Sequence, residues 1–253
     1  MDDIDLRRVE EAGLNALQTQ QQLFYDGWLL RVSPGNAKRA RSVNPYFGST
    51  FAVESKIAHC ERVYAARELP TLFRMTPFAL PTDLDDVLAR RGYVVFQPTL
   101  VQIAALDRPP DCAVDGDIEF AAPAIGDFVD EVAALRGSSA EQRAAHLERL
   151  ARTPLATRAL VARHDGRTVG CGQIALDGDL AGVYDMVTDA AFRRRGVASA
   201  IVAELLSWAW QHGAISAYLQ VDAANVPALA VYGRFGFVTA YTYHYRARPN
   251  ECR

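Results

Sequence analysis

Residues 187–210 read VTDAAFRRRGVASAIVAELLSWAW, and this stretch limits the fold more than any other part of the chain. It reads as the end of a strand, a short arginine- and glycine-containing loop and a long amphipathic helix. Val197, Ile201, Leu205 and Ala209 form one apolar stripe of that helix, with Ala198, Val202 and Leu206 beside it. A loop that opens a helix offers an anion site. The first-turn N–H groups lack intrahelical partners, and the helix dipole is positive there. Arg193, Arg194 and Arg195 add forked donors suited to phosphate. Gly196 lets the backbone approach a ligand closely, and the small Ala198 and Ser199 keep the rim low. The loop is therefore expected to hold a diphosphate.

The arginines are a local feature. Net charge is −3 over 253 residues, which argues against general nucleic-acid or membrane-surface binding. The cysteines, Cys60, Cys112, Cys171 and Cys252, lie far apart in no metal-ligand spacing and read as reduced thiols of a cytosolic protein. The opening MDDIDLRRVE is acidic where a secretory signal needs basic residues, and no apolar run approaches a membrane span. The expectation is a soluble cytoplasmic protein with no metal; nothing in the sequence sets its oligomeric state.

The first part of the chain predicts a polar helix over 5–24, strands at 28–32 and 41–45, and a helix over 54–68. Lys38, Arg39 and Arg41, between the two strands, suit either a solvated hairpin or a ligand-facing patch. A short strand at 72–75 precedes a helix capped by Thr82 or Asp83 and ended by Gly92, and a strand-rich return follows over 93–105. Residues 107–116, DRPPDCAVDG, form the best linker candidate. A strand at 117–120 and helices over 123–135 and 140–152 come next, with Ser138 or Ser139 capping the second helix. Strands at 158–163, 169–176 and 181–188, joined by Asp165-Gly166 and Asp177-Gly178, predict an antiparallel meander. After His212-Gly213 stops the long helix, 215–221 alternates as a half-buried strand. Asn225 then caps a short helix over 226–234, and a last strand over 237–246 carries Tyr241, Tyr243 and Tyr245 on one face.

Taken together, the Arg193-x-x-Gly196-x-Ala198 loop and the later pattern Asn225, Ala228, Tyr232, Gly236, Phe237 resemble the GNAT superfamily of acyl-CoA-dependent N-acetyltransferases over roughly residues 117–246. The resemblance implies an α+β fold, with a mixed, mostly antiparallel sheet flanked by helices. That sheet would splay open between the strand ending at Thr188 and the strand at 215–221. It implies acetyl-CoA as cosubstrate, with its pyrophosphate on Arg193, Arg194, Arg195, Gly196, Val197, Ala198 and Ser199. Its pantetheine would lie along the backbone of Met186, Val187 and Thr188, and Asn225 would contact the cofactor arm. Ala198 stands where the family often has glycine, and Ala190 where it often has proline.

The first half resembles a degenerate copy of the same fold. Arg90-Arg91-Gly92-Tyr93-Val94 parallels Arg234-Phe235-Gly236-Phe237-Val238 at an offset of 144 residues. Leu88 stands where Tyr232 would fall, and no Arg-x-x-Gly-x-Ala loop precedes a helix there. The expected organisation is a degenerate domain over 1–106, a linker over 107–116 and a catalytic domain over 117–253.

The resemblance makes Tyr232 the general acid for the departing thiolate, although ordinary amphipathic patterning also accounts for a tyrosine there. A backbone N–H near Val187 or Thr188 would stabilise the oxyanion. The base is open. Relatives often have glutamate where this chain has Gln220; Asp185, Tyr184, Glu119, Asp222, His244 or a water chain could serve, or positioning alone. The tyrosine stripe on the last strand suits either core or an acceptor pocket. Cys171 has no histidine near it in sequence to make it a nucleophile. The expected reaction is acetyl transfer to a primary amine of a small molecule or peptide by direct attack, with no nucleic-acid or membrane partner. The alternative is a non-catalytic CoA-binding regulatory module.

Overall fold

The computed structural model describes residues 5–33, 35, 37–110 and 117–252. In chain order the elements are α1 (Leu6–Ala16), β1 (Gln21–Tyr25), β2 (Trp28–Val32), β3 (Val43–Pro45), α2 (Val53–Ala65), β4 (Phe73–Met75), α3 (Leu84–Arg90) and β5 (Val94–Ala105). The second half supplies β6 (Glu119–Ala121), α4 (Ile125–Arg136), α5 (Ala140–Ala151), β7 (Ala156–His164), β8 (Arg167–Asp177), β9 (Leu180–Thr188), α6 (Val197–Gln211), β10 (Ser216–Asp222), α7 (Val226–Gly233) and β11 (Val238–Ala247). Of the linker expected at 107–116, residues 111–116 and with them Cys112 lie outside the described residues.

The contacts divide the chain into two units. One holds Met1–Gln18 and Val101–Ala240, the other Thr19–Leu100 and Tyr241–Arg253. In the first unit the strand order is β5-β10-β9-β8-β7-β6. The meander β7-β8-β9 is antiparallel, and β9 pairs in parallel with β10. The β7–β8 turn is made by Asp165 and Gly166 at φ 50° and 72°, the left-handed pair that a tight hairpin of this hand requires. Opposite faces of β8 meet different helices. Gly170 and Gly172 lie under α6, where a Cβ would come within 2.8 Å of Val197 and 2.5 Å of the Met186 sulfur, so glycine lets the helix sit close. Cys171 faces the other way, into the core made with Phe128, Val129 and Val132 of α4.

In the second unit β1, β2 and β3 form an antiparallel series, and β3 pairs in parallel with β4. Trp28, Phe73, Tyr93, Ile57 and Leu88 fill its core, with Trp28 and Tyr93 edge-on to Phe73. Each unit thus contains three antiparallel strands, a helix, and a fourth strand parallel to the third. The matching elements start 144 residues apart: α2 at Val53 and α6 at Val197, β5 at Val94 and β11 at Val238. The fifth strands are exchanged in sequence. The neighbour of β4 is β11, with Tyr245 opposite Arg74, and the neighbour of β10 is β5. Leu106, just beyond β5, donates its N–H to the Ile215 carbonyl at 2.8 Å.

One expectation changes and two open readings close. The helix expected over 5–24 ends at Ala16, and Gln21–Tyr25 is a strand. The glutamine run carries no apolar stripe to hold a helix against a core. Asp26 and Gly27, both at positive φ, fold it back onto β2 instead. The tyrosine stripe on β11 is core of the second unit: Tyr241, Tyr243 and Tyr245 are all buried, and the Arg74 guanidinium lies 3.8 Å over the Tyr243 ring. Lys38, Arg39 and Arg41 are half-buried, so the basic connection is not simply solvated.

Candidate active site

The expected site residues, Met186 to Thr188, Arg193 to Ser199, Asn225 and Tyr232, all fall within the unit that holds residues 101–240. Their common frame is the separation of β9 from β10. The parallel register runs from Ser216 opposite Leu180 to Leu219 opposite Val183 and stops there. Residues 184–188 continue along β8, so their other edge carries backbone groups with no strand partner among the described residues. A β-bulge sits where the separation begins. Gln173 opposes Tyr184 and Cys171 opposes Val187, so Asp185 and Met186 both face Gly172. A bulge bends its strand and breaks pairing, and here it directs β9 away from β10. Asp185 takes φ 52° to make it, a left-handed conformation that is costly for a non-glycine residue.

After β9, Asp189 caps a short 3-10 turn by accepting from the Ala191 N–H at 2.8 Å. The chain then turns through Arg194 at φ 64° and Gly196 at φ 82° into α6. No side chain caps α6, so the N–H groups of its first turn keep their unsatisfied character. A Cβ built on Gly196 meets nothing within 4 Å, which leaves the approach to these N–H groups open. Arg193, Arg194 and Arg195 are exposed. Arg193 and Arg194 make no ion pair among the described residues, and Arg195 lies 5.0 Å from the Phe192 ring centre. A positive helix end and unneutralised guanidinium groups thus share one small region.

In the other unit α2 likewise has no side-chain cap, but the segment just before it is tied down by an acidic side chain of the chain itself. The Asp26 carboxylate accepts from the Thr50 N–H at 3.0 Å, the Phe51 N–H at 2.9 Å and the Thr50 hydroxyl at 2.8 Å, just before α2. Hydrogen bonds from the Phe51 and Thr50 backbone hold its pKa well below the usual carboxylate range, and buried Lys56 pairs with it at 3.4 Å. Sequence reading missed this contact, although an Asp-Gly turn and a Ser49-Thr50 pair ahead of a helix were visible.

On the far side of the opening, Asn225 caps α7 by accepting from the Ala228 N–H at 3.3 Å. It is exposed, and its amide N–H2 makes no hydrogen bond among the described residues. Tyr232 lies about two turns further along α7, with 8 % of its surface exposed and its ring 6.0 Å from Phe237. Burial pushes its phenol up to about 12, so the group is protonated throughout the neutral range.

The candidate bases are mostly engaged. Asp185 accepts from Arg136 at 2.9 Å and Gln173 at 3.1 Å and is bonded to His146 at 2.9 Å. Desolvation works to raise its pKa, but the bonds and charge from His146 and Arg136 outweigh it and hold the group well below the usual range. The Tyr184 and Tyr218 hydroxyls are 2.6 Å apart. Asp222 accepts from the Ala224 N–H in a turn, and Glu119 is exposed on β6. His244 belongs to the second unit, bonded to Asp85 at 2.8 Å. Gln220 packs against α1, its amide nitrogen 2.9 Å from where a Cβ on Gly13 would be. Cys171 is buried, with its thiol pushed up to about 12 by desolvation, which removes it as a nucleophile at neutral pH.

Comparison with known proteins agrees with this architecture. Residues 129–237 match the family described as acetyltransferase (GNAT) family, and residues 4–123 match one described as probable histone acetyltransferase Rv0428c C-terminal. The chain is 26 % identical over 248 residues to a Bacillus subtilis protein described as uncharacterized N-acetyltransferase YobR, covering 96 % of this chain and 99 % of that one. Among solved structures it resembles a GCN5-related N-acetyltransferase from Kribbella flavida, at TM-score 0.74 and 18 % identity over 96 % of this chain and 95 % of the other. It also resembles one from Sphaerobacter thermophilus, at TM-score 0.67 and 17 % identity over 96 % and 85 %. The protein is an acyltransferase. Its C-terminal part is a domain of the GNAT acetyltransferase family, joined to an N-terminal acetyltransferase-type region.

Proposed function

We propose that the chain moves an acetyl group from acetyl-CoA to a primary amine of a small molecule or peptide, by direct attack, at a single site in the unit containing residues 101–240. The observation that carries this reading is the uncapped, arginine-flanked start of α6 at the end of the open edge of β9. The residues fit an acyl-CoA. A doubly charged diphosphate suits the α6 N–H groups with Arg193, Arg194 and Arg195, and Gly196 leaves the room it needs. An extended, amide-bearing arm suits the unpaired backbone of Met186, Val187 and Thr188 in the manner of an added strand. The Asn225 amide N–H2 is available as a further donor to that arm.

When bound, acetyl-CoA supplies an activated acyl group and a thiol leaving group. A backbone N–H of the open β9 edge donates to the oxygen that gains charge. The Tyr232 hydroxyl holds a proton at neutral pH and delivers it to the departing sulfur. The burial that weakens Tyr232 as an acid also strengthens a neighbouring thiolate as a base, so donor and acceptor stay matched. Gln220 cannot take the amine proton, and Asp185 is already engaged by three side chains. In this reading the amine loses its proton to solvent, and positioning supplies the rate.

The same proposal extends to the organisation of the chain: residues 1–106 are a degenerate copy, 107–116 a linker and 117–253 the copy that keeps the phosphate loop, in a cytoplasmic protein. The shared 144-residue offset and the matching parallel pairs support the duplication. The lack of an Arg-x-x-Gly-x-Ala loop ahead of α2 supports one site rather than two. The test is release of free thiol from acetyl-CoA with a broad panel of amines. Release with at least one amine is expected. Binding of acetyl-CoA without thiol release from any of them would favour the regulatory-module reading.

A further inference from the structure

The bulge in β9 is held by side chains from three other elements. Asp185 supplies the left-handed residue of the bulge, at φ 52°. Aspartate adopts this left-handed conformation more readily than most non-glycine residues, and it persists where the surroundings hold it. Here they do. Arg136 from the last turn of α4, His146 from α5 and Gln173 from β8 all bond its carboxylate, at 2.9, 2.9 and 3.1 Å. The α4–α5 corner that delivers the first two is itself rigid, with Gly137 in the left-handed cap of α4 and a reciprocal Ser139–Gln142 capping box starting α5. Tyr184 pairs across to Gln173, and Asp185 bonds the same residue, so two successive side chains project to one face. The extra residue therefore resets the phase of everything after it. Val187 turns to the α4 side opposite Cys171, and Thr188 to the α6 side opposite Gly170. The bulge follows directly on the last β9–β10 pair, Val183 with Leu219, so it falls where the two strands part.

We propose that Asp185 is the positioning residue of the transfer site: held by Arg136, His146 and Gln173, it fixes the bulge that opens β9 and aims the backbone N–H groups of residues 186–188 at the reacting acyl group. This assigns Asp185 a role other than base, and it rests on the acetyl-transfer reading above. Its consequence is a split between binding and rate. Misaiming an oxyanion donor by about 1 Å costs about 100-fold in rate, the scale also seen when such a donor is removed. Cosubstrate binding is distributed over the α6 loop and Asn225 and should change little.

The test uses the full chain with Asp185→Gly, Asp185→Asn and His146→Ala. Glycine accepts φ 52° without strain but removes the anchor, whereas asparagine tolerates the same backbone and keeps one acceptor. Each variant is compared below its own melting temperature for acetyl-CoA affinity by calorimetry and for kcat and KM by thiol release. The expected result for Asp185→Gly is a fall in kcat of about 100-fold with acetyl-CoA affinity within about threefold of the parent. Asp185→Asn should recover part of that loss, and His146→Ala should give a smaller loss of the same kind. A folded Asp185→Gly with unchanged kcat, or a loss confined to acetyl-CoA affinity, overturns the proposal. If the glycine variant does not fold, unchanged kcat in the asparagine and His146→Ala variants overturns it equally. Failure of the underlying reading looks different: the parent itself would release no thiol.

Discussion

Replacing Arg193 and Arg194 together by glutamine should weaken acetyl-CoA binding strongly and leave stability nearly untouched. Both guanidinium groups are exposed and make no ion pair among the described residues, so no ion pair is lost when they go. Surface changes of that kind stay within about 0.5 kcal/mol of the parent. Binding is another matter. A unit charge about 4 Å from a phosphate charge is worth about 1 kcal/mol in bulk water and about 4 kcal/mol at the effective dielectric of a partly covered surface. Their exposure puts each arginine near the lower figure, at about 1–2 kcal/mol, so the pair amounts to about 2–4 kcal/mol. At 1.4 kcal/mol per decade, Kd should rise about 30- to 700-fold. The interaction is also screened. Between about 0.05 and 0.3 M salt the parent should lose more affinity than the variant. Calorimetric titration at both ionic strengths, with chemical denaturation alongside, reads all three quantities. A Kd within threefold of the parent, equal salt dependence in both proteins, or a stability loss above about 1 kcal/mol would refute the reasoning, because each removes the premise that these charges face the ligand.

Tyr232→Phe should lower kcat by about 100-fold or more with little change in affinity for acetyl-CoA; since the parent phenol is held at about 12, no loss of rate attributable to this group should appear in a pH–rate profile below about pH 10. Asp26, held below the usual range by the Phe51 and Thr50 backbone, and Asp85, held at about 2 by the Arg246 hydrogen bond, contribute stability that is complete above the unfolded carboxylate pKa of about 3.9 and is lost as pH falls through their folded values. Denaturation midpoints should therefore drop steeply from about pH 4 downward, and Asp26→Asn should flatten that dependence. Gly172→Ala forces a methyl group against the Met186 sulfur and Ile201 and should cost about 1–3 kcal/mol by denaturant titration. A fragment of residues 117–253 should fail to show a cooperative melt, because β10 then loses its β5 neighbour and β11 its β4 partner.

The elements that were legible in the sequence carry their own punctuation. Asp165-Gly166 announced a hairpin, the apolar stripe from Val197 to Ala209 announced α6, and Asn225 announced α7. What was not legible depends on partners distant in the chain. Gln21 to Tyr25 becomes a strand only because β2 is there to pair with it. The bulge at Asp185 is unmarked by glycine, and its anchors lie 12 to 49 residues away, which is why Asp185 read as a candidate base. The exchange of β5 and β11 is invisible because the two strands begin at matching positions of the two copies and alternate alike. The Asp26 carboxylate, which occupies the N–H groups of Thr50 and Phe51 ahead of α2, carries no mark in the sequence beyond its place before Gly27.

The central claim is a fold present twice with an acyl-CoA site present once. Titration of acetyl-CoA into the full chain tests it most directly. The account requires one molecule bound per chain, with that binding weakened by Arg193→Gln and Arg194→Gln together. Two molecules per chain, or one that the arginine pair does not affect, would contradict it.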